Sequence, residues 1–334
     1  MKTTLFFLLA IILFETDIYA QDTFSIVAAD SSTREVGSAG ASCVNLFQFN
    51  ITDPSFLGDL LPDTGAINTQ ASYLATNQTN ARVRMRAGDS PAQNILWLSS
   101  NDAQNNPAVR QYGIVGFTGN NVSAEAYTGI NCMDYKNHKT GSIDGFHYSI
   151  QGNILLGQDI IDSMEIKFRN AQGDLACRLM AALQGANVTG ADTRCAPNGT
   201  SSLFAYVKVA KPTDAYGNPW FNVSVRTLSN AQIEPIDSLQ TIFDLQHNCL
   251  SIGINKTTLM NHFNVYPNPS TKEIILRSDG FLIGSTYIIS DILGKQVLTG
   301  IIAGENSTVD VGSLFEGLYI IQVSNLQGKT FLKL

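Results

Sequence analysis

Several common chemistries have no foothold in this chain. Cys43, Cys132, Cys177, Cys195 and Cys249 contain no C-x-x-C pair, and His138, His147, His247 and His262 contain no i,i+4 pair. The ligand spacing of a zinc site is therefore missing, and neither a metal nor a cofactor is expected. The sequence also lacks a G-x-S-x-G elbow, a phosphate-cradling glycine loop ending in Gly-Lys-Ser/Thr, an H-E-x-x-H helix and a G-x-G-x-x-G fingerprint. With a net charge of −7 it has no clustered Lys and Arg face, which argues against nucleic acid or anionic lipid as a partner. Beyond the first 20 residues no apolar run approaches the ~20 residues that a bilayer span requires, so a soluble mature protein is expected. If the chain is an enzyme, these absences leave hydrolysis without metal or cofactor.

What is present begins with export. Lys2, the apolar run from Leu5 to Phe14, and Ile18-Tyr19-Ala20 ahead of Gln21 have the layout of a secretory signal peptide over residues 1–20. In an oxidising compartment five cysteines allow at most two bridges with one residue left over. Buried unpaired thiols are the alternative, and spacing does not choose between them.

Composition changes near residue 250, dividing the chain into a domain at 21–248, a linker at 249–261 and a second domain at 262–334. In the first, Thr23 to Ala29 and Glu35 to Cys43 read as strands joined by the polar turn Asp30 to Arg34. Ser90-Pro91-Ala92-Gln93 combines an N-cap serine, a proline at the first helical position and a glutamine three residues on, predicting a helix through Ser100. Arg82, Arg84 and Arg86 alternate like a strand, but their polar lead-in from Ala71 favours a helix. Strands are predicted at Tyr112 to Phe117, Ser123 to Thr128, Phe146 to Gln151, Leu203 to Val209 and Phe221 to Thr227. Helices are predicted at Asp159 to Phe168, across Leu175 to Leu183, and at Ile236 to Leu245. Strands and helices in this alternation suggest packed layers of both kinds, an α+β fold.

The chemistry hinges on Thr23, a hydroxyl residue opening a strand two positions after the expected signal cut. A threonine hydroxyl is a weak nucleophile alone. An α-amino group on the same residue, titrating near ~7.7–8.0, can take its proton. The competing reading is an ordinary β-branched residue at a strand start. Asp192 and Arg194 can orient a substrate carboxylate or amide, or form a loop ion pair. Gln70, Gln151 and Asn153 carry amides that can line a cleft or satisfy backbone groups in turns. Cys43 would need a nearby cation to become a nucleophile, and a buried or bridged cysteine is the expectation.

Thr23-Phe24-Ser25-Ile26-Val27-Ala28, Glu35-Val36-Gly37, Gly65-Ala66-Ile67-Asn68-Thr69-Gln70, Ala87-Gly88 with Ser90-Pro91, Gln151 to Leu155 with Gly157, and Gly190 to Arg194 follow one another in a fixed order. In this order the segment from about 23 to 245 resembles the domain of unknown function 1028, a family of the N-terminal-nucleophile (Ntn) hydrolase superfamily. The resemblance implies a four-layer αββα sandwich whose first strand presents its N-terminal residue. By the same resemblance Thr23 is the nucleophile, its α-amine the base, and backbone N–H groups the oxyanion donors, with an unknown small-molecule or peptide substrate. Cytoplasmic members of that family typically begin Met-Thr-Phe-Ser, whereas here Gln21-Asp22 precede Thr23. An amide nitrogen is no base, so catalysis requires a further cut. The rival reading is a non-catalytic surface or binding protein on the same scaffold.

Val265-Tyr266-Pro267-Asn268-Pro269-Ser270, Tyr287 to Asp291 with Leu293-Gly294-Lys295, and Gly317-Leu318-Tyr319-Ile320-Ile321 resemble the type A sorting domain of the type IX secretion system. The alternating apolar residues describe a small all-β Ig-like sandwich. The resemblance implies recognition by the translocon and sorting machinery of Bacteroidota-type bacteria, with the protein secreted or held at the cell surface. Asn-X-Ser/Thr sequons such as Asn50, Asn77 and Asn222 then read as plain Asn/Thr-rich composition.

Overall fold

The computed structural model describes residues 23–249, 263–278, 282–292, 294–323 and 329–333. The signal expected at 1–20, and all of the expected linker but Cys249, lie outside these residues. The chain divides into two compact units, Met1–Ile252 and Gly253–Leu334.

In the first unit, β1 (Thr23–Asp30) and β2 (Val36–Ser42) form an antiparallel hairpin with Thr23 opposite Ser42. There follow β3 (Gly58–Leu61), β4 (Gly65–Ala71), α1 (Ala75–Arg86), α2 (Pro91–Ser100), β5 (Arg110–Thr118), β6 (Asn121–Thr128), β7 (Asn137–Ile143) and β8 (Phe146–Gly152). The unit continues with α3 (Gln158–Asn170), α4 (Leu175–Gly185), β9 (Phe204–Ala210), β10 (Phe221–Arg226) and α5 (Pro235–Gln246). These strands make a six-stranded sheet, β10-β9-β2-β1-β8-β7, and a four-stranded sheet, β3-β4-β5-β6.

Every residue of β1 is buried because the strand is central and covered on both faces. Phe24, Ile26 and Ala28 point to one side, into a core with Ile160, Met164 and Phe168 of α3, Leu179 and Leu183 of α4, and Phe243 of α5. The other face meets the second sheet, with β1 against β4 and β5, β2 against β3 and β4, and β8 against β5 and β6. Helices α1 and α2 cover that second sheet through Met85, Ile95 and Leu98, packed on Ile67, Tyr112 and Ile114.

Local signals account for many of these elements. The capping box forms as read: Ser90 accepts from Gln93 N–H at 3.3 Å, and the Gln93 side chain accepts from Ser90 N–H at 2.9 Å. Asp174 caps α4 by accepting from Cys177 N–H at 3.1 Å. Arg82, Arg84 and Arg86 lie in a helix, which starts at Ala75 rather than Ala71. Three strands, β3, β4 and β7, do not follow from apolar period. β3 spans four residues, β7 is a polar edge strand, and β4 buries Asn68, Thr69 and Gln70.

Both alternatives for the cysteines have an outcome. Cys43–Cys195 and Cys177–Cys249 are bridged, with Cα separations of 5.6 and 5.5 Å, while buried Cys132 stays outside both bridges and donates its thiol proton to the Arg110 carbonyl at 3.2 Å. A bridged Cys43 has no thiolate and is excluded as a nucleophile in this state.

The second unit contains β11 (Phe263–Tyr266), β12 (Glu273–Ser278), β13 (Thr286–Asp291), β14 (Gln296–Ile301), β15 (Asn306–Asp310), β16 (Gly317–Val323) and β17 (Lys329–Lys333). They form the sheets β11-β12-β15 and β14-β13-β16-β17, which share a core of Ile274, Leu276, Tyr287, Ile289, Val309, Ile321 and Val323. Alternation along β12, β13 and β16 places one face inside and the other in solvent, as expected of antiparallel sheets. Among the described residues of the chain no helix is long and apolar enough to cross a membrane.

Candidate functional site

Thr23 opens the central strand of the six-stranded sheet and is fully buried. Its backbone N–H donates to Asn153 Oδ1 at 3.2 Å. Its carbonyl accepts from Gln70 Nε2 at 3.0 Å and from the Asn153 N–H at 3.1 Å. Asn153 follows β8, the neighbour of β1, and Gln70 stands near the end of β4 in the facing sheet. Gln70 and Asn153 thus hold the backbone N–H and carbonyl of Thr23 from two sheets, and all three residues are completely buried.

Asp192 and Arg194 form a second cluster. Asp192, also fully buried, accepts from Arg194 Nε at 3.0 Å and from the Cys43 N–H at 2.9 Å. The pair is not an exposed loop bridge, because the carboxylate is enclosed and only the guanidinium reaches solvent, at 33% exposure. Ser42, the β2 partner of Thr23, precedes Cys43, and Leu155 two residues after Asn153 bridges to Asp192. Arg194, Cys43 and Asn198 line a cavity of about 420 Å³ beside this cluster.

Ser25, Ser149, Gln111 and Thr128, not singled out as site residues in the sequence, complete the first cluster together with Gln151. Ser25 donates to Gln70 Oε1 and accepts from Gln151 Nε2 at 2.6 Å, and Gln151 Oε1 accepts from Ser149 at 2.9 Å. Gln70 Nε2 also donates to Gln111 Oε1 at 2.8 Å, and Gln111 Nε2 donates to Thr128 Oγ1 at 2.8 Å and to the Gly152 carbonyl at 2.9 Å. Because Ser25 gives its proton to Gln70 Oε1, the Gln70 amide must turn its nitrogen toward the Thr23 carbonyl. Gly113 makes room for this arrangement, since a Cβ there would collide with the Gln151 side-chain amide. At the end of the network Thr128 Oγ1 lies 2.8 Å from His138 Nδ1, where burial lowers the imidazole pKa against the opposing pull of Glu125. The signal that could have found Ser25 is its two-residue offset from Thr23, which places both on one strand face.

Asp174, Cys177 and His247 place candidate ligand atoms within 4.8 Å of one another. Cys177 is committed to its bridge and offers no thiolate, and Asp174 and His247 already pair at 2.9 Å. Two remaining ligands are too few for a structural zinc site.

Against known proteins, residues 23–236 match the Family of unknown function (DUF1028), and residues 264–334 match the Secretion system C-terminal sorting domain. The crystal structure of a protein of the same family from Silicibacter pomeroyi matches with a TM-score of 0.50 and 22% identity, over 67% of this chain and 85% of that one. This likeness carries the fold alone. No curated protein matches. The chain belongs to the DUF1028 family of unknown function, and its C-terminal sorting domain marks it for type IX secretion.

Proposed function

We propose that residues 21–248 form an Ntn-type amide hydrolase of αββα layering, exported behind a signal at 1–20 and carried by the sorting domain at 262–334 to the medium or the cell surface of a Bacteroidota-type bacterium. The observation that carries this reading is the grip on Thr23: a hydroxyl residue at the start of the central strand, its nitrogen on Asn153 Oδ1 and its carbonyl on Gln70 Nε2. Helices on the outer side of both sheets support the layering.

In the reaction, the Asp22–Thr23 bond is first cut, freeing the α-amine of Thr23. Asn153 Oδ1 then orients the amine, which takes the Thr23 hydroxyl proton as the oxygen bonds to the substrate carbonyl carbon. Backbone N–H donors stabilise the tetrahedral oxyanion, and its collapse breaks the C–N bond while the ammonium returns the proton to the leaving amine. Water, deprotonated by the same amine, cleaves the acyl ester and regenerates the hydroxyl. Gln70 acts as a positioning residue, and Asp192 with Arg194 receives a polar part of the substrate in the adjoining cavity.

The rival, a non-catalytic binding protein, draws on the Gln21-Asp22 dipeptide and on the complete burial of Thr23. Two forms of the protein separate the readings, one beginning at Thr23 and one at Gln21. Release of amine from a panel of acyl amides by the Thr23 form alone is expected, and it is abolished by T23A. Equal activity in both forms refutes the terminal base, and inactivity of both favours the binding protein.

A further inference from the structure

A second polar cavity opens on the six-stranded sheet away from Thr23. It measures about 300 Å³, and its walls include Lys208, Asn222, Arg82, Tyr73, Tyr216 and Phe56. Lys208 pairs with Ser38 on β2, whereas Thr23 pairs with Ser42. Four residues of strand separate the two levels by about 13 Å. The cavity is therefore not the place where the Thr23 hydroxyl acts.

Its charges are unevenly matched. The Lys208 ammonium donates to the Ser55 carbonyl at 2.9 Å and to Ser55 Oγ at 3.3 Å, both neutral, and it forms no ion pair with a described carboxylate. Burial lowers its pKa, opposed by Asp53 and Asp59, the sign of an ammonium short of solvent. Asp59 is already engaged, by Arg82 Nε at 2.7 Å and the Tyr216 hydroxyl at 3.0 Å. Asp53 lies at the exposed rim and accepts from Ser55 N–H and Oγ. The guanidinium carbons of Arg82 and Arg86 stand 5.0 and 4.7 Å from the Tyr216 ring centre, adding positive potential on that wall. Asn222 sits directly across from Lys208 on β10, exposed, with no described hydrogen bond to its side-chain amide. Phe56 and Tyr73 meet edge to face at 5.3 Å and give the cavity an apolar side.

We propose that this cavity binds a small organic carboxylate with an apolar body. The carboxylate takes a charge-assisted hydrogen bond from Lys208 Nζ and a second bond from the Asn222 amide, and the body packs on Phe56, Tyr73 and Tyr216. The volume suits a ligand of about the size of a single substituted ring. The site is independent of Thr23 chemistry, so protein beginning at Thr23 or at Gln21 binds equally.

The test is isothermal titration of the full exported chain with benzoate and with benzamide, its neutral counterpart of nearly equal shape. Saturable benzoate binding is expected, with benzamide at least tenfold weaker. K208M should lower benzoate affinity at least tenfold, and N222A, at an exposed position where folding is undisturbed, about threefold. Absence of saturable benzoate binding in the millimolar range overturns the proposal, as does equal affinity for benzamide. Since the unmodified protein supplies that comparison, the proposal stays open to refutation if K208M does not fold. Unchanged affinity in N222A and in folded K208M also overturns it.

Discussion

The space between the two sheets of the first unit has two ends of opposite character. At one, Val27, Ala29, Val36, Leu60, Ala66 and Val115 form an apolar cluster. At the other, along the same strands, stand Ser25, Asn68, Gln70, Gln111 and Gln151, all completely buried. On β1 the face runs Ser25, Val27, Ala29; on β4 it runs Gln70, Asn68, Ala66; on β5 it runs Gln111, Gly113, Val115. Packing alone has no reason to change character along a strand. A buried amide left without partners costs about 1–3 kcal/mol; Gln70, Gln111 and Gln151 avoid that cost by bonding one another, Ser25 and the backbone, while Asn68 Nδ2 is buried with no described partner. That end holds Thr23, and the proposed chemistry draws on this contrast.

The contrast can be broken or sharpened by measurement. The largest effect is expected from the Cys43–Cys195 bridge, which ties the polar end to the Asp192 loop across 152 residues of sequence. Chain entropy for a loop of that length predicts that C43A/C195A lowers unfolding free energy by roughly 5 kcal/mol in urea titrations. A loss below about 1 kcal/mol would detach the clamp from stability. Next, Q70L removes the acceptor of the Ser25 hydroxyl, the donor to Gln111 Oε1 and one of the two donors to the Thr23 carbonyl, and should cost roughly 3–5 kcal/mol by the same assay. V27A at the apolar end should cost only about 2 kcal/mol, from lost burial and a small cavity. If Q70L costs no more than V27A, the polar end is ordinary packing.

A third test uses acid. Asp102 is nearly enclosed; burial pushes its pKa up, but the Arg110 side chain, the backbone N–H groups of Asn106 and Gln104, and the Asn77 amide outweigh that and hold it at about 2. Arg110 is the first residue of β5, next to Gln111. With a folded pKa below the ordinary value, the group's stabilisation is complete above about pH 4 and vanishes as pH falls through about 2, an amount of about 2 kcal/mol. Unfolding titrations between pH 5 and pH 2 should show this slope. D102N should be less stable at neutral pH, with Arg110 left unpaired, and should lack that part of the acid dependence.

Much of the frame was legible because apolar period and capping are local. Ile160, Ile161, Met164 and Phe168 declare one helix face, and Ser90-Pro91-Ala92-Gln93 declares a helix start. β4 escaped because its polar residues are buried, and period reads polar residues as surface. Thr23 stands out by its place just behind the expected signal cut, and Gln70 and Asn153 by side-chain amides that lie inside the ordered motifs. Gln111 had no such signal: its part depends on lying opposite Gln70 in the register of β4 and β5. The Lys208 cavity was equally hidden, since it arises where β2, β9 and β10 align with the segment from Asp53 to Asp59. The partners of Cys43 and Cys177 lie 152 and 72 residues away, beyond any local pattern.

The account rests on Thr23 becoming the first residue of the working protein. N-terminal sequencing with intact mass of the chain recovered from the culture medium or cell surface tests this directly. The account predicts a chain beginning Thr23-Phe24-Ser25. An exported chain that begins at Gln21, free or as pyroglutamate, and still hydrolyses amides would contradict it.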